Sequence, residues 1–258
     1  VEQAGLPLVF LSGYSVAAAQ LGLPDFGYLT QTEMVAVARR VCGSVDIPVI
    51  IDADTGYGNA LNVIRTVQTL ERAGAAALQM EDQTSPKRCG HIKGKTIIDA
   101  SEMAGKIRAA CDARRDDDTI IIARTDALAV TDFDDAITRG EVYLEAGADA
   151  LFIEAPRDIA QMKVIATRFA GRTSLVHNFV EGGNSPVSNI SDLDKLGYKL
   201  GLFPLAYMHA AVPAGRAMLQ HLKQSGQTEG FEGRSDNLAT LNNAVGLQEW
   251  LAKAEKYA

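Results

Sequence analysis

Long apolar runs are missing from this chain. Nowhere do about 18 apolar residues follow one another, so no transmembrane helix is expected. Cysteine is scarce, with three in 258 residues. That is too few for a disulfide framework and points to a reducing compartment. Positive charge is not in excess. Lys and Arg number 25 against 32 Asp and Glu, a formal net charge of -7. Such a balance argues against nucleic acid or an anionic membrane as a main partner. No signal-peptide pattern is visible, and the expectation is a cytoplasmic protein. No low-complexity segment or linker divides the sequence. One domain is therefore expected over 1–258, with a helical extension from about 206 to 258. The length suits an α/β barrel, and 47% hydrophobic content suffices for a sizeable core.

One pattern recurs: a charged helix end, a glycine, then a short apolar run that finishes in polar residues. Glu71-Arg72-Ala73-Gly74 precedes Ala77–Asp82, Glu145-Ala146-Gly147 precedes Ala150–Glu154, and Lys195-Leu196-Gly197 precedes Leu200–Pro204. Each glycine suits the left-handed residue that ends a helix. Each apolar run suits a strand buried on both faces, as parallel strands are. The same reading gives seven strands: Leu8–Ser12, Val49–Asp54, Ala77–Asp82, Ile120–Asp126, Ala150–Glu154, Ser174–Asn178 and Leu200–Leu205. Helical stripes lie between them. Thr30 and Glu33 fit a capping box before Met34, Val37 and Val41, and Val63, Val67 and Leu70 share a face, as do Met103, Ile107 and Cys111. Alternating strands and helices make a parallel sheet, and a (β/α)₈ TIM barrel is expected. Val1–Gly5 reads as a helix end, so the first strand–helix unit, about 30 residues, is expected to lie upstream. An open doubly wound sheet is the alternative. It would want a Gly-rich phosphate loop after its first strand, and Ser12-Gly13-Tyr14-Ser15 is not one.

The strand C-terminal ends, where such barrels place their chemistry, are unusually polar. Asp52 and Asp54 lie two apart on one strand, Glu81 ends the next, and Asp25 on a nearby loop can join them. Any one of these carboxylates could instead cap the following helix. Three on neighbouring strands are better explained by a shared cation, because like charges would otherwise repel. Oxygen donors without thiolate or paired imidazole select Mg²⁺, with Mn²⁺ as a substitute.

The connection after Glu81 is far longer than the usual few residues and reads Asp82-Gln83-Thr84-Ser85-Pro86-Lys87-Arg88-Cys89-Gly90-His91. Lys87, Arg88 and His91 flank Cys89 and are expected to make its thiol reactive. Gly90 would let the backbone approach a ligand. A buried packing role suits Cys111 and Cys42 but not Cys89, whose neighbours are polar or small. Arg124 could grip a ligand carboxylate in bidentate fashion or pair with a barrel carboxylate. Asn178 leads into the polar loop Glu181-Gly182-Gly183-Asn184-Ser185-Pro186, either a second binding loop or an ordinary turn. His177, His209 and His221 show no metal-ligand spacing.

Lys87-Arg88-Cys89-Gly90-His91 resembles the signature of the isocitrate lyase / phosphoenolpyruvate mutase superfamily, in its carbon–carbon lyase branch. Ser12–Ser15, Leu21–Asp25, Asp52–Gly58, Glu81-Asp82-Gln83, Ala123–Asp126 and Asn178 through Gly183 extend the likeness along the chain. The resemblance implies an Mg²⁺-dependent barrel, a homotetramer with C-terminal helices exchanged between subunits, and a small dicarboxylate or 2-oxo acid as substrate. It implies Asp52 as the direct metal ligand, with Asp25, Asp54 and Glu81 acting largely through water. Ser12, Gly13 and Tyr14 would bind the 2-oxo acid half through backbone groups. Gly90 would lie on the substrate, and Arg124, Glu154 and Asn178 would contact its carboxylates or order the gate. Cys89, with Lys87 and His91 beside it, would serve as proton donor on a closing loop.

The implied reaction cleaves a small 2-hydroxy dicarboxylate, a substituted malate such as 2,3-dimethylmalate or 2-methylisocitrate, to a 2-oxo acid and a carboxylate. Phe10, where methylisocitrate lyases carry tyrosine, and Glu181-Gly182-Gly183 favour the smaller substituted malates. Oxaloacetate hydrolysis and carboxyphosphoenolpyruvate phosphonomutase chemistry are the alternatives. A non-catalytic diacid-binding barrel would be expected to have lost a metal carboxylate or the cysteine, and both are present.

Overall fold

Strands form at all seven places where apolar runs occur. In the computed structural model, which describes residues 1–90, 92–183, 185–231 and 237–258, they are β1 (Val9–Leu11), β2 (Val49–Asp52), β3 (Ala77–Glu81), β4 (Ile120–Thr125), β5 (Ala150–Ile153), β6 (Ser174–Asn178) and β7 (Leu200–Leu202). All neighbours pair in parallel and in sequence order. Several strands stop short of their expected ends, because the chain turns as soon as the polar residues begin. Asp54 has φ 54° and Ala155 has φ 53°, values no ladder residue adopts.

The helices of the first unit are α1 (Gly13–Val16), α2 (Gln31–Cys42), α3 (Ala60–Arg72), α4 (Ala100–Ala113), α5 (Ala127–Val130), α6 (Phe133–Glu145), α7 (Ile159–Phe169) and α8 (Ile190–Lys195). The capping box at Thr30 and Glu33 is formed, with both reciprocal hydrogen bonds. The α3 stripe of Val63, Val67 and Leu70 is fully buried, as are Met103 and Ile107 on α4. Cys111 and Cys42 are half-buried packing residues, and burial pushes both thiols up. Gly74 ends α3 with φ 102°, and a Cβ there would lie 2.8 Å from the Cys42 Cβ, so two separate constraints select glycine. Glu2–Ala4 is a single 3₁₀ turn closed by Gly5.

Side chains alternate across the sheet. Phe10, Ile50, Ala77, Ile122, Ala150, Phe152, Val176, Leu200 and Leu202 point inward and meet in one cluster drawn from every strand. Ile51, Leu78, Met80, Ile121, Ala123, Leu151 and Leu175 point outward and pack with the helices. Seven parallel strands around an interior cluster, with helices outside, make a nearly closed TIM-type barrel. Among the described residues no ladder joins β1 to β7. Their C-terminal ends are linked by the Ser15 hydroxyl, which donates to the Pro204 carbonyl at 2.9 Å.

The chain divides into two compact units, Val1–Ala206 and Tyr207–Ala258. The second consists of α9 (Ala206–Ser225), which contains Pro213, then α10 (Leu238–Ala244) and α11 (Leu247–Tyr257). None of their described residues is buried, and Tyr207, Leu219, Leu238, Val245 and Trp250 are exposed.

Leu70 is fully enclosed, whereas Leu61 on the same helix is 74% exposed. Leu70→Ala is expected to cost about 2–5 kcal/mol through lost burial and a residual cavity. Leu61→Ala should stay within about 0.5 kcal/mol. Urea midpoints at unchanged slope measure both.

Candidate active site

The polar strand ends converge on one cleft. Ser12, Tyr14, Asp25, Asp52, Lys87, Cys89, Gly90, Arg124, Glu154 and Asn178 line it, all of them residues the sequence singles out. Asp54, Glu81 and Gly13 stand behind that wall rather than in it. His91 lies outside the described residues. Phe10, Val180, Pro204 and Leu205 form an apolar part of the lining, and Gln79 joins it from β3.

Asp52 is held by two backbone donors, Gly13 N–H to Oδ2 and Asp54 N–H to Oδ1, each at 3.0 Å. The Gly13 N–H is thus directed at Asp52. A Cβ on Gly13 would approach Asp52 Oδ2 to 3.0 Å, which ties the small residue to that hydrogen bond. The four acidic residues do gather, but around an ammonium. Lys87 Nζ lies 2.9 Å from Asp25, 3.7 Å from Asp54 and 4.0 Å from Glu81. Burial pushes the Asp54 carboxyl up to about 6 even though Lys87 opposes the shift. Burial also drives Glu81 well above the usual carboxylate range, against Arg124 and Lys87. Among the described residues no three acidic, histidine or cysteine side chains are spaced to hold a metal ion by themselves. The donor set nevertheless fits a hard cation that keeps its waters. It is all oxygen, Asp52 faces the cleft, and Glu81 Oε1 accepts no hydrogen bond.

Arg124 occupies the opposite wall. Its guanidinium reaches Glu81 at 3.3 Å, Asp126 at 3.0 and 3.2 Å and Glu154 at 3.3 Å, and lies 5.2 Å above the Phe152 ring. Of the two roles the sequence left open, the salt bridge is formed, and to three carboxylates at once. Asn178 Nδ2 donates to Glu154 Oε2 at 3.1 Å, which leaves its Oδ1 without a hydrogen-bond partner. Burial alone would raise Asp126, but the Arg124 guanidinium and the Lys95 ammonium outweigh it and hold that carboxyl well below the usual range.

Sequence reasoning missed the support beneath these residues. Asp82 is fully buried and accepts from Thr125 Oγ1 (2.7 Å), Asp126 N (3.0 Å), Tyr143 OH (2.7 Å) and Arg139 Nη1 (3.2 Å). The signal available was on α6, where Arg139 and Tyr143 sit one turn apart on a face that is otherwise apolar.

The long loop is built as a stalk and a cover. Gln83 and Ile97 form an antiparallel bridge, and Thr84 N donates to Thr96 O at 2.9 Å. Above this stalk the Gln83 amide makes both hydrogen bonds to the Arg88 backbone, at 2.8 and 2.9 Å. Cys89 N donates to Asp25 O at 3.2 Å. Gly90 presses on the basic wall so closely that a Cβ would lie 2.3 Å from Arg124 Nη2 and 3.0 Å from Glu154 Cγ. The cations that flank Cys89 in sequence turn to other partners: Lys87 to the carboxylates, and Arg88 to the Phe26 ring at 5.7 Å and the Lys93 carbonyl at 3.2 Å.

Two measurements test this geometry. Gly90→Ala should hold the cover away from Arg124, so trypsin should cut after Lys87, Arg88 or Lys93 faster than in the wild type, with little change in thermal midpoint. Equal cutting rates would contradict the close approach. Asp54 has a folded-state value raised to about 6, so its contribution to stability is favourable when protonated and declines as pH rises from about 4 through 6. Relative to the wild type, Asp54→Asn should therefore gain stability between pH 4.5 and 7 in chelator, as read from urea midpoints.

Comparison with known proteins agrees with this arrangement. The phosphoenolpyruvate phosphomutase family matches residues 1–223. The 2,3-dimethylmalate lyase of Eubacterium barkeri is 42% identical over 258 residues, covering 100% of this chain and 89% of that protein. The chloroplastic carboxyvinyl-carboxyphosphonate phosphorylmutase of Arabidopsis thaliana is 44% identical over 262 residues, covering 100% and 77%. The petal death protein of Dianthus caryophyllus is 38% identical over 258 residues, covering 100% and 80%. Among solved structures, 2,3-dimethylmalate lyase superposes with a TM-score of 0.94 at 32% identity, covering 100% of this chain and 85% of that one. Oxaloacetate acetylhydrolase bound to 3,3-difluorooxalacetate gives 0.93 at 30% identity, covering 99% and 86%. Phosphonopyruvate hydrolase with oxalate and Mg²⁺ gives 0.88 at 30% identity, covering 99% and 88%. A barrel of this topology, a cysteine on the cover after β3 and full-length identity near 40% make the chain a member of the phosphoenolpyruvate mutase/isocitrate lyase superfamily.

Proposed function

We propose that this chain is a Mg²⁺-dependent carbon–carbon lyase that cleaves a small 2-hydroxy dicarboxylate, a substituted malate of the 2,3-dimethylmalate type, to a 2-oxo acid such as pyruvate and a carboxylate. The observation that carries the reading is Cys89, set on the seated cover across the cleft lining that also holds Asp52 and Arg124. Bound by Asp52 directly and by Asp25, Asp54 and Glu81 largely through water, Mg²⁺ (or Mn²⁺) would acidify a 2-hydroxyl and hold the adjacent carboxylate. Tyr14 and Ser12 offer polar groups to the 2-oxo acid half, while Arg124, with Glu154 and Asn178, orients the other end. Lys87 keeps four nearby carboxylates compatible with one another. Transfer of the hydroxyl proton to a carboxylate of the cleft lets the C2–C3 bond break, so that C2 becomes the 2-oxo carbon and C3 leaves with the electron pair. The Cys89 thiol then gives its proton to C3. The seated cover excludes the water that would otherwise protonate it indiscriminately.

The apolar lining of Phe10, Val180, Pro204 and Leu205 supports alkyl substituents on the substrate rather than a bare malate. Among the described residues no helix is long and apolar enough to cross a membrane, and a cytoplasmic location is part of the proposal. So is a homotetramer, which the exposed apolar side chains of α9–α11 support. Oxaloacetate hydrolysis is the second reading, supported by the likeness to oxaloacetate acetylhydrolase. Phosphonomutase chemistry is a third, supported by the Arabidopsis relative.

A panel of 2,3-dimethylmalate, other substituted malates, 2-methylisocitrate and oxaloacetate, with Mg²⁺ and lactate dehydrogenase as the coupling enzyme, decides between the first two. Pyruvate from a substituted malate is expected, and oxalate from oxaloacetate alone would transfer the proposal to the second reading. Cys89→Ser should lower turnover by about 10²–10⁴-fold, the range for a lost general acid, while Mg²⁺-dependent oxalate binding persists. Undiminished turnover would remove Cys89 from the reaction.

A further inference from the structure

Lys95 has no part in the reaction as described above, yet it is, besides Lys87, a cation through which the cover meets the barrel. It sits where the stalk passes into the cover, next to Thr96, whose carbonyl accepts from Thr84 N–H. Its side chain is buried to 3% exposure, an unusual place for a lysine. Its ammonium makes two contacts. One is an ion pair with Asp126 Oδ1 at 2.7 Å. The other is a hydrogen bond to the carbonyl of Gly90, the residue packed on Arg124 and Glu154.

These contacts form a chain. Asp126 receives Arg124 through two guanidinium hydrogen bonds, at 3.0 and 3.2 Å, and Lys95 through one. Asp126 is itself fixed by its backbone N–H, which donates to Asp82. The Lys95–Asp126 pair therefore anchors the returning limb of the loop to the end of β4, whereas the Gly90 carbonyl belongs to the cover. We propose that Lys95 is a positioning residue: a buried latch that captures the Gly90 carbonyl when the cover seats and, through Asp126, fixes the Arg124 guanidinium that faces the ligand. One cation thereby registers two parts of the site. A neutral side chain of similar length would fill the space but release the carbonyl and leave Asp126 to Arg124 alone. The inference rests on the proposed function only in treating the cleft as the reaction site. The latch itself is a property of the protein without ligand.

Amide hydrogen exchange of the ligand-free chain tests it. Three amides report on the cover: Arg88 (to Gln83 Oε1), Cys89 (to Asp25 O) and Ile92 (to Cys89 O). Two report on the stalk: Thr84 (to Thr96 O) and Ile98 (to Asp82 O). In Lys95→Met the cover amides should exchange at least about tenfold faster, with the stalk amides within about twofold of wild type. Lys95→Arg keeps a charged donor and should restore most of the protection. Cover exchange unchanged in Lys95→Met would overturn the latch. So would equal acceleration of cover and stalk, the mark of general destabilisation, or failure of Lys95→Arg to rescue. If Lys95→Met does not fold, Lys95→Gln is read by the same criteria. Because no substrate is used, a silent diacid screen would leave this result standing, and a failed latch would leave the lyase reading standing.

Discussion

Asp82 carries no chemistry in the proposed reaction, but the arrangement of the site depends on it. Its buried carboxylate accepts hydrogen bonds from β4, from the Asp126 backbone and from two residues of α6. Its own carbonyl accepts from Ile98, where the cover loop returns to the barrel. An unpaired carboxylate at that depth would be severely destabilising, so these partners must all be in place together. Burial still pushes its carboxyl up despite the Tyr143, Asp126 and Thr125 hydrogen bonds. One residue thus fixes the spacing between β3 and β4, the height of the loop root and the position of Asp126. Arg124 takes its orientation from that last contact.

The cleft is electrostatically crowded. Asp25, Asp52, Asp54, Glu81, Asp126 and Glu154 face three buried cations, Lys87, Lys95 and Arg124. The carboxylates outnumber the cations, and burial, with a smaller contribution from neighbouring carboxylates, raises Asp54 and Glu81. A dianionic ligand entering such a place would be repelled unless a divalent cation accompanied it. In the proposed reaction the acidic wall would therefore admit anions by way of the metal as well as hold that metal.

Much of this was legible in the sequence. Strand positions followed from apolar runs between glycine-closed helices, and the cleft residues followed from polar strand ends. That works because parallel strands bury both faces, so charge at a strand end has few reasons to exist other than function. What the sequence hid was pairing across distance. Lys87 and Arg88 adjoin Cys89 along the chain, but the loop's path sends one into the carboxylates and the other onto Phe26. Gly13 N–H serves Asp52, a residue 39 positions away. Lys95 and Asp126, or Asp82 and Tyr143, have no local signature, because helices and strands set their separation in space.

The apolar part of the cleft has a mechanical consequence. Phe10 belongs to the first strand of the sheet, while Pro204 and Leu205 follow the last. A molecule filling that part of the cleft would touch the first and the last strand at once and act as a rivet between them, so that its binding would resist their separation.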